Sequence, residues 1–116
     1  EINKDNPQLI LMKNVVATIN TQRNSPIIIK ADNAIYNNVN YNTNFYTNVS
    51  TKLDQHNLSS DILNLIFEKN LLEILDNVIY KNLDTRLMAD KIEIDIITKD
   101  VKIYMKSPLD VVKIEK

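Results

Sequence analysis

The sequence predicts an all-β domain, in which an elongated antiparallel sheet folds over on itself into a roll or sandwich of roughly eight to eleven strands. Three observations lead to this prediction. Apolar and polar residues alternate in several segments, short turns rich in Asn and Asp separate these segments, and related segments recur about 29 residues apart. Because such units bury their apolar side chains only by stacking, the recurrence predicts one continuous apolar face.

Alternation is clearest near the carboxyl end of the chain. Residues 91–96 place three isoleucines on one face and mainly charged residues on the other, which predicts a half-buried strand. Residues 101–105 repeat this pattern, and the polar residues 98–100 between them predict a hairpin turn. The same criteria predict strands over residues 8–16, 27–36, 45–53, 71–80 and 111–115.

Residues 58–72 are ambiguous by periodicity alone. Their apolar residues also fall at helical spacing, and Ser59, Ser60 and Asp61 could cap a helix. The recurrence favours a strand. Asp32, Asp61 and Asp90 each follow a small residue and are evenly spaced (61 − 32 = 29 and 90 − 61 = 29), which aligns residues 62–67 with the predicted strand 91–96.

A second element also recurs, in which a large apolar residue precedes Asn-Val by three positions. It occupies residues 11–15, 45–49 and 74–78. The first interval is longer than the second, which predicts an insertion of about five residues around residues 21–26. The repeating unit is therefore one hairpin pair of about 29 residues.

Length and composition restrict the classes of function. The 116 residues fit one domain, spanning residues 1–116, and contain no cysteine, which excludes disulfides and thiolate chemistry. Glycine is also absent, so Asn is expected to adopt the left-handed conformations that turns require. The net charge of −1 and the dispersed Lys and Arg give no reason to expect nucleic acid as a partner. No apolar run of about 18 residues occurs.

No residue pattern indicates catalysis. Asp32, Asp61 and Asp90 lie one repeat apart and lack a neighbouring His or Glu at ligand spacing, so they are expected to make turn or strand-start hydrogen bonds. His56, the only histidine, lies in a polar stretch and is expected to be a solvated loop residue. Phosphate loops, zinc motifs and nucleophile elbows are absent from the sequence, so we expect a non-enzyme without metal or cofactor.

Three of these segments together carry a family resemblance: residues 31–36, residues 45–49, and residues 88–101 with their Ala-Asp-Lys and Thr-Lys-Asp-Val stretches. In their order and spacing, over residues 9–105, the chain resembles the periplasmic lipopolysaccharide-transport domains of the LptC/LptA (OstA-like) family, and LptC more than LptA. It departs from that family where the usual Gly-Asn-Val turn is Thr47-Asn48-Val49 and Asp76-Asn77-Val78.

The resemblance implies an open, taco-like β-jellyroll whose apolar interior takes the acyl chains of lipid A. Alternation supplies the candidate lining residues, and the resemblance supplies their use. The alternative is a structural or protein-binding β-repeat domain with a closed core and no lipid ligand; a carbohydrate-binding sandwich is less favoured, because the tyrosines do not share one alternation phase. The predicted lining is Ala34, Tyr36, Phe45, Val49, Leu63, Leu65, Phe67, Ile74, Val78, Ile92, Ile94, Ile96, Ile103 and Met105.

The two end strands of an open sheet offer unpaired backbone groups that recruit other chains by strand addition. The resemblance implies that the partners are lipopolysaccharide, other Lpt bridge proteins and inner-membrane transporter subunits, in the periplasm. A hydrophobic helix ahead of Glu1 would favour an LptC-like role, anchored to the inner membrane on its periplasmic side, whereas a cleavable signal would favour an LptA-like role. The predicted edge residues are Leu9, Leu11, Val15, Leu109, Val111, Lys113 and Glu115.

Overall fold

A computed structural model describes residues 8–20, 26–105 and 111–114, the last of these by backbone alone. The described residues form eight strands and one short 3₁₀ turn. The predicted insertion near residues 21–26 lies almost wholly outside the described residues. The elements are β1 (Leu9–Ile19), β2 (Ile27–Asn37), β3 (Thr43–Leu53), β4 (His56–Ile66), the 3₁₀ turn Phe67–Lys69, β5 (Leu71–Lys81), β6 (Arg86–Asp95), β7 (Val101–Tyr104) and β8 (Val111–Ile114).

The eight described strands form one open antiparallel sheet in which each strand pairs with its neighbours in sequence. The predicted all-β, antiparallel character is therefore confirmed. The ambiguous segment is a strand as far as Ile66, followed by the 3₁₀ turn. The predicted strand was one residue too long, because Phe67 begins that turn, which Asn70 ends in the left-handed conformation (φ 50°).

Alternation gives the sheet two unlike faces. On the apolar face, Phe45, Leu63, Ile74, Ile92 and Ile103 are successive register partners across β3 to β7, and each is at most 2% exposed. Burial of one such side chain contributes about 1.5–3 kcal/mol. Because this row crosses five strands, the apolar face is the main source of the fold's stability. The opposite face, here called the outer face, carries polar and charged residues among half-buried apolar ones.

The register shifts at two places within the sheet, on β3 and on β5. Between the pairs Lys30↔Ser50 and Asn33↔Tyr46, β3 contains one residue more than β2, and the same irregularity separates β5 from β4. Residues 47 and 48 of β3 and residues 76 and 77 of β5 have positive φ at these points. A bulged strand bends there, and its ladder is locally interrupted.

Left-handed backbone conformations occur at nine described residues. Asparagine accounts for several of them, as the absence of glycine predicts, because its short polar side chain tolerates this region. The expectation that these positions lie in turns is correct only in part, since five of them lie inside strands. The nine are Asn14, Tyr41, Thr47, Asn48, Asp54, Asn70, Asp76, Asn77 and Lys99.

Candidate functional site

The predicted lining residues lie together on the apolar face, with the exception of Phe67. Nine of them are 2% exposed or less and form its core: Ala34, Phe45, Val49, Leu63, Ile74, Val78, Ile92, Ile94 and Ile103. Leu65, Ile96 and Met105 are partly buried against this core, and Tyr36 is half-buried on β2. Phe67 belongs to the 3₁₀ turn and is 55% exposed.

One end of the sheet carries an exposed apolar rim. Three connections meet at this end, residues 38–42, 67–70 and 96–100, and we call it the three-loop end. Val39, Tyr41, Phe67 and Ile97 are exposed on these connections. The rings of Tyr41 and Phe67 meet edge to face with their centroids 5.2 Å apart. Exposed apolar side chains that cluster in this way are typical of ligand or partner contacts.

Hydrogen bonds tie the three connections to one another. The Phe67 backbone N–H donates to Asn42 Oδ1 at 2.8 Å, and the Ile96 backbone N–H donates to the Asn70 carbonyl at 2.9 Å. The first bond joins the β2–β3 connection to the 3₁₀ turn, and the second joins that turn to the β6–β7 connection. The rim is therefore one connected structure.

An amide-lined cleft of about 400 Å³ lies beside the rim. Five asparagines line it, together with Leu9, Ile35, Thr43, Leu65 and Ile66. Backbone N–H groups fix the orientation of several of these side chains. Asn37 Oδ1 accepts from Val39 N at 2.9 Å, and Asn40 Oδ1 accepts from Asn42 N at 2.9 Å. The NH₂ group of Asn44 donates to Asn64 and that of Asn64 donates to Glu73, so only Asn37, Asn40 and Asn42 have NH₂ groups without a partner among the described residues. The five lining asparagines are Asn37, Asn40, Asn42, Asn44 and Asn64.

The other end of the apolar face, here called the histidine end, contains a buried polar group. His56 is only 9% exposed, and its Nδ1 lies 2.5 Å from the hydroxyl of the fully buried Tyr80. Asn82 Nδ2 donates to the same hydroxyl oxygen at 3.2 Å. The Tyr80 hydroxyl and His56 Nδ1 are hydrogen-bond partners whose donor and acceptor roles depend on the imidazole tautomer. Burial lowers the pKa of His56, which favours the neutral imidazole.

The prediction that His56 is a solvated loop residue is wrong. The turn between β3 and β4 consists of Asp54 and Gln55 alone, so His56 is the first residue of β4. It lies two positions before Leu58, and alternation therefore points it to the apolar face. The phase of Leu58 is the feature of the sequence that could have placed it.

The outer face carries a charged network across β5, β6 and β7. Lys91 Nζ lies 3.3 Å from Glu73 Oε2 and 3.2 Å from Glu93 Oε2, and the Tyr104 hydroxyl donates to Glu93 at 2.9 Å. The hydrogen bond with Glu93 is the largest cause of a raised pKa of Lys91. Burial raises the pKa of Glu93, but the bonds from Tyr104 and Lys91 outweigh burial and leave that pKa below its ordinary value. This network joins side chains of β5, β6 and β7 across the outer face.

The two outer strands of the described sheet are β1 and β8. Leu9, Leu11 and Val15 lie half-buried on β1, and Val111 and Lys113 lie on β8. Leu109 and Glu115 are outside the described residues.

Sequence reasoning did not identify the rim or the amide-lined cleft, because both depend on three connections that are distant in sequence.

Among the described residues, no three His, Asp or Glu side chains converge as a metal site would require. No helix in the described part of the chain is long and apolar enough to cross a membrane. No model of a known protein family matches the chain, and no curated protein matches it either.

Proposed function

We propose that this chain is a periplasmic lipopolysaccharide-transport module of the LptC/LptA type. It holds acyl chains against its apolar face and passes them to neighbouring modules that are joined to it by strand addition. One observation carries the proposal: apolar side chains form a continuous face across β1 to β7, and that face ends in an exposed apolar rim.

The proposal includes a sheet that curves as an open jellyroll. The shortest dimension of the chain is 23 Å, which leaves room for two layers of sheet, since sheets packed face to face lie about 10 Å apart. Ile74 and Ile92 are fully buried, as expected if other parts of the sheet cover them. Both observations support curvature that turns the apolar face inward and leaves the first and last strands apart.

The proposal also includes a repeated hairpin unit of about 29 residues. The register shifts on β3 and β5 support it, because their positive-φ residues, 47 and 48 and then 76 and 77, are 29 positions apart. A module of this kind lengthens by adding units while keeping one apolar face. Such growth suits a conduit that spans a distance between two membranes.

Acyl chains reach this face at the three-loop end. Leu65 and Ile96 are partly exposed there, and Tyr36 is half-buried beside them. Residues farther along the face, such as Ile92, are covered by protein and accept an acyl chain only when parts of the sheet separate. When parts of the sheet separate, apolar contacts within the protein are lost and contacts with the acyl chain replace them, at about 0.8 kcal/mol for each buried methylene. Because the gain and the loss nearly balance, a lipid can both bind and leave.

The polar part of such an amphiphile lies at the amide-lined cleft. The cleft adjoins the rim and is lined from both faces of the sheet, by Thr43 and Leu65 of the apolar face and by Asn44 and Asn64 of the outer face. Uncharged amide donors bind hydroxyl or phosphate oxygens without fixing a single headgroup. This suits a carrier that must release its cargo.

A photo-reactive residue at Leu65 tests the proposal, with Ile62 as the matched control. Both positions lie half-buried on β4, but Leu65 belongs to the apolar face and Ile62 to the outer face. We expect irradiation with lipopolysaccharide to give an adduct at Leu65, a weaker adduct at Ile94, and none at Ile62. Equal labelling at Ile62, or no adduct at either apolar-face position, would contradict the proposal.

The competing function is that of a structural or protein-binding β-repeat domain with a closed core. Its support is the near-complete burial of nine of the predicted lining residues. In that case neither Leu65 nor Ile94 is labelled, and the chain takes up no amphiphile from micelles.

A further inference from the structure

Two hydrogen bonds of the same kind join neighbouring strands in the middle of the sheet. Asn48 Nδ2 on β3 donates to Asp32 Oδ2 on β2 at 2.7 Å. Asn77 Nδ2 on β5 donates to Asp61 Oδ2 on β4 at 2.6 Å. In each pair the asparagine lies 16 residues after the aspartate, on the following strand.

These bonds lie where the backbone ladder is interrupted. The register shift leaves residues 31–32 of β2 without regular pairing to residues 47–49 of β3, and the second pair lies at the equivalent interruption between β4 and β5. Asn48 and Asn77 both have φ of 52°. The side-chain bond therefore joins the two strands at the point where main-chain pairing fails. The aspartates lie in mid-strand, not at turns or strand starts as the sequence predicted.

A third asparagine has this conformation and lacks the aspartate. Asn14 on β1 also has φ of 52° and is exposed. Its side chain makes no hydrogen bond or ion pair within the part of the chain that the structure describes. The aspartate that bonds to β3 or to β5 lies on the strand that precedes it in the sheet. No strand precedes β1 in the described sheet, so the corresponding side of β1 is an open edge. The pairing of β1 with β2 on its other side runs past Asn14 without a register shift.

We propose that the β1 edge binds an antiparallel strand that carries an aspartate opposite Asn14. The partner strand resembles β2, β4 and β6, in which a small residue precedes the aspartate: Ala31-Asp32, Ser60-Asp61 and Ala89-Asp90. The exposed Lys13 beside Asn14 adds a positive charge that favours an acidic partner. The inference rests on the strand-addition part of the proposed function and is independent of acyl-chain binding.

The partner strand is expected to use both backbone and side-chain contacts. An added strand gains affinity from main-chain hydrogen bonds along the edge, which any extended peptide can form. The bond between Asn14 and the aspartate selects the sequence and the register among such peptides. A strand that lacks the aspartate leaves Asn14 unpaired at the position where β3 and β5 use their asparagines.

A peptide with the sequence of residues 85–95, which contains Asp90, serves as the probe strand. We expect it to bind the intact chain and to protect backbone amides of β1 from hydrogen exchange. Replacing Asp90 by Ala in the peptide, or Asn14→Ala in the protein, should weaken binding about tenfold, as expected for a hydrogen bond to a charged group. The matched control is Asn57→Ala, an exposed asparagine on the inner strand β4, which should leave binding unchanged.

Exchanging the two side chains distinguishes this pairing from a general loss of edge binding. Asn14→Asp in the protein should reject the natural peptide and accept the peptide in which Asp90 is replaced by Asn. If the protein self-associates and Asn14→Asp dissociates it, a second copy supplies the strand by the same pairing. Equal binding of all peptides to all variants, or protection of a strand other than β1, would overturn the inference. None of these outcomes depends on labelling at Leu65, so the two proposals fail separately.

Discussion

The two ends of the apolar face differ in chemistry although the same alternation builds both. At the histidine end, the polar side chains of His56 and Tyr80 are buried and paired with each other. At the three-loop end, Tyr41 and Phe67 are exposed and Leu65 is only partly covered. A buried polar pair is costly to open, because each group loses its partner. The comparison therefore assigns closure to the histidine end and access to the three-loop end.

The pattern of apolar residues alone therefore does not define a binding face. Leu65 and Tyr80 both satisfy the alternation of their strands, but Tyr80 is fully buried. The two-residue turn between β3 and β4 places His56 beside Tyr80, whereas Tyr41 and Phe67 lie on the longer connections of the three-loop end and are exposed.

Removing one aromatic ring at each end gives the largest expected contrast. Tyr80→Ala removes a fully buried ring and should lower the free energy of unfolding by about 3–5 kcal/mol. Phe67→Ala removes a ring that is 55% exposed and should cost less than about 1 kcal/mol. Urea unfolding followed by circular dichroism measures both values. Similar losses for the two variants would contradict the assignment of a closed and an accessible end.

The hydroxyl of Tyr80 should account for a smaller part of this contrast. Tyr80→Phe keeps the ring but leaves His56 Nδ1 and Asn82 Nδ2 without the partner that they share. We expect a loss of about 1–2 kcal/mol in the free energy of unfolding. The matched control is Tyr46→Phe on the outer face, where no hydrogen bond of the hydroxyl is present among the described residues, and it should change stability by less than about 0.5 kcal/mol. Equal losses for Tyr80→Phe and Tyr46→Phe would show that the hydrogen bond between His56 and Tyr80 contributes nothing to the free energy of unfolding.

Much of the fold follows from local patterns in the sequence. The alternation of residues 91–96 predicts β6, and the alignment with residues 62–67 correctly resolves the ambiguous segment as β4. Strand ends are harder to predict than strand centres. β6 begins at Arg86, five residues before its predicted start, because Leu87 and Ala89 continue the apolar face. Met88 between them is apolar but exposed, which obscures the alternation in the sequence.

The predicted apolar face follows from alternation, but its ends do not. The stretch around His56 is polar in composition, and only the phase of Leu58, two residues later on β4, indicates that His56 faces the core. The pairing of Asp32 with Asn48 depends on a register shift, which the alternation of side chains does not encode. This pairing is therefore visible only when neighbouring strands are placed side by side.

Lowering the pH is the mildest perturbation of the histidine end. Burial lowers the pKa of His56, so the unfolded chain binds a proton at a higher pH than the folded chain does. Stability from this group is fully present above about pH 6.5, the ordinary value, and is lost as the pH falls through the lowered folded-state pKa. We expect the urea midpoint to decrease as the pH is lowered from 7.5 to 5.5.

His56→Asn, which retains an acceptor but does not titrate, should flatten this dependence. The lowered pKa of Glu93 acts only below its ordinary value of 4.5 and does not affect this window. A dependence that persists in His56→Asn would show that another group closes this end.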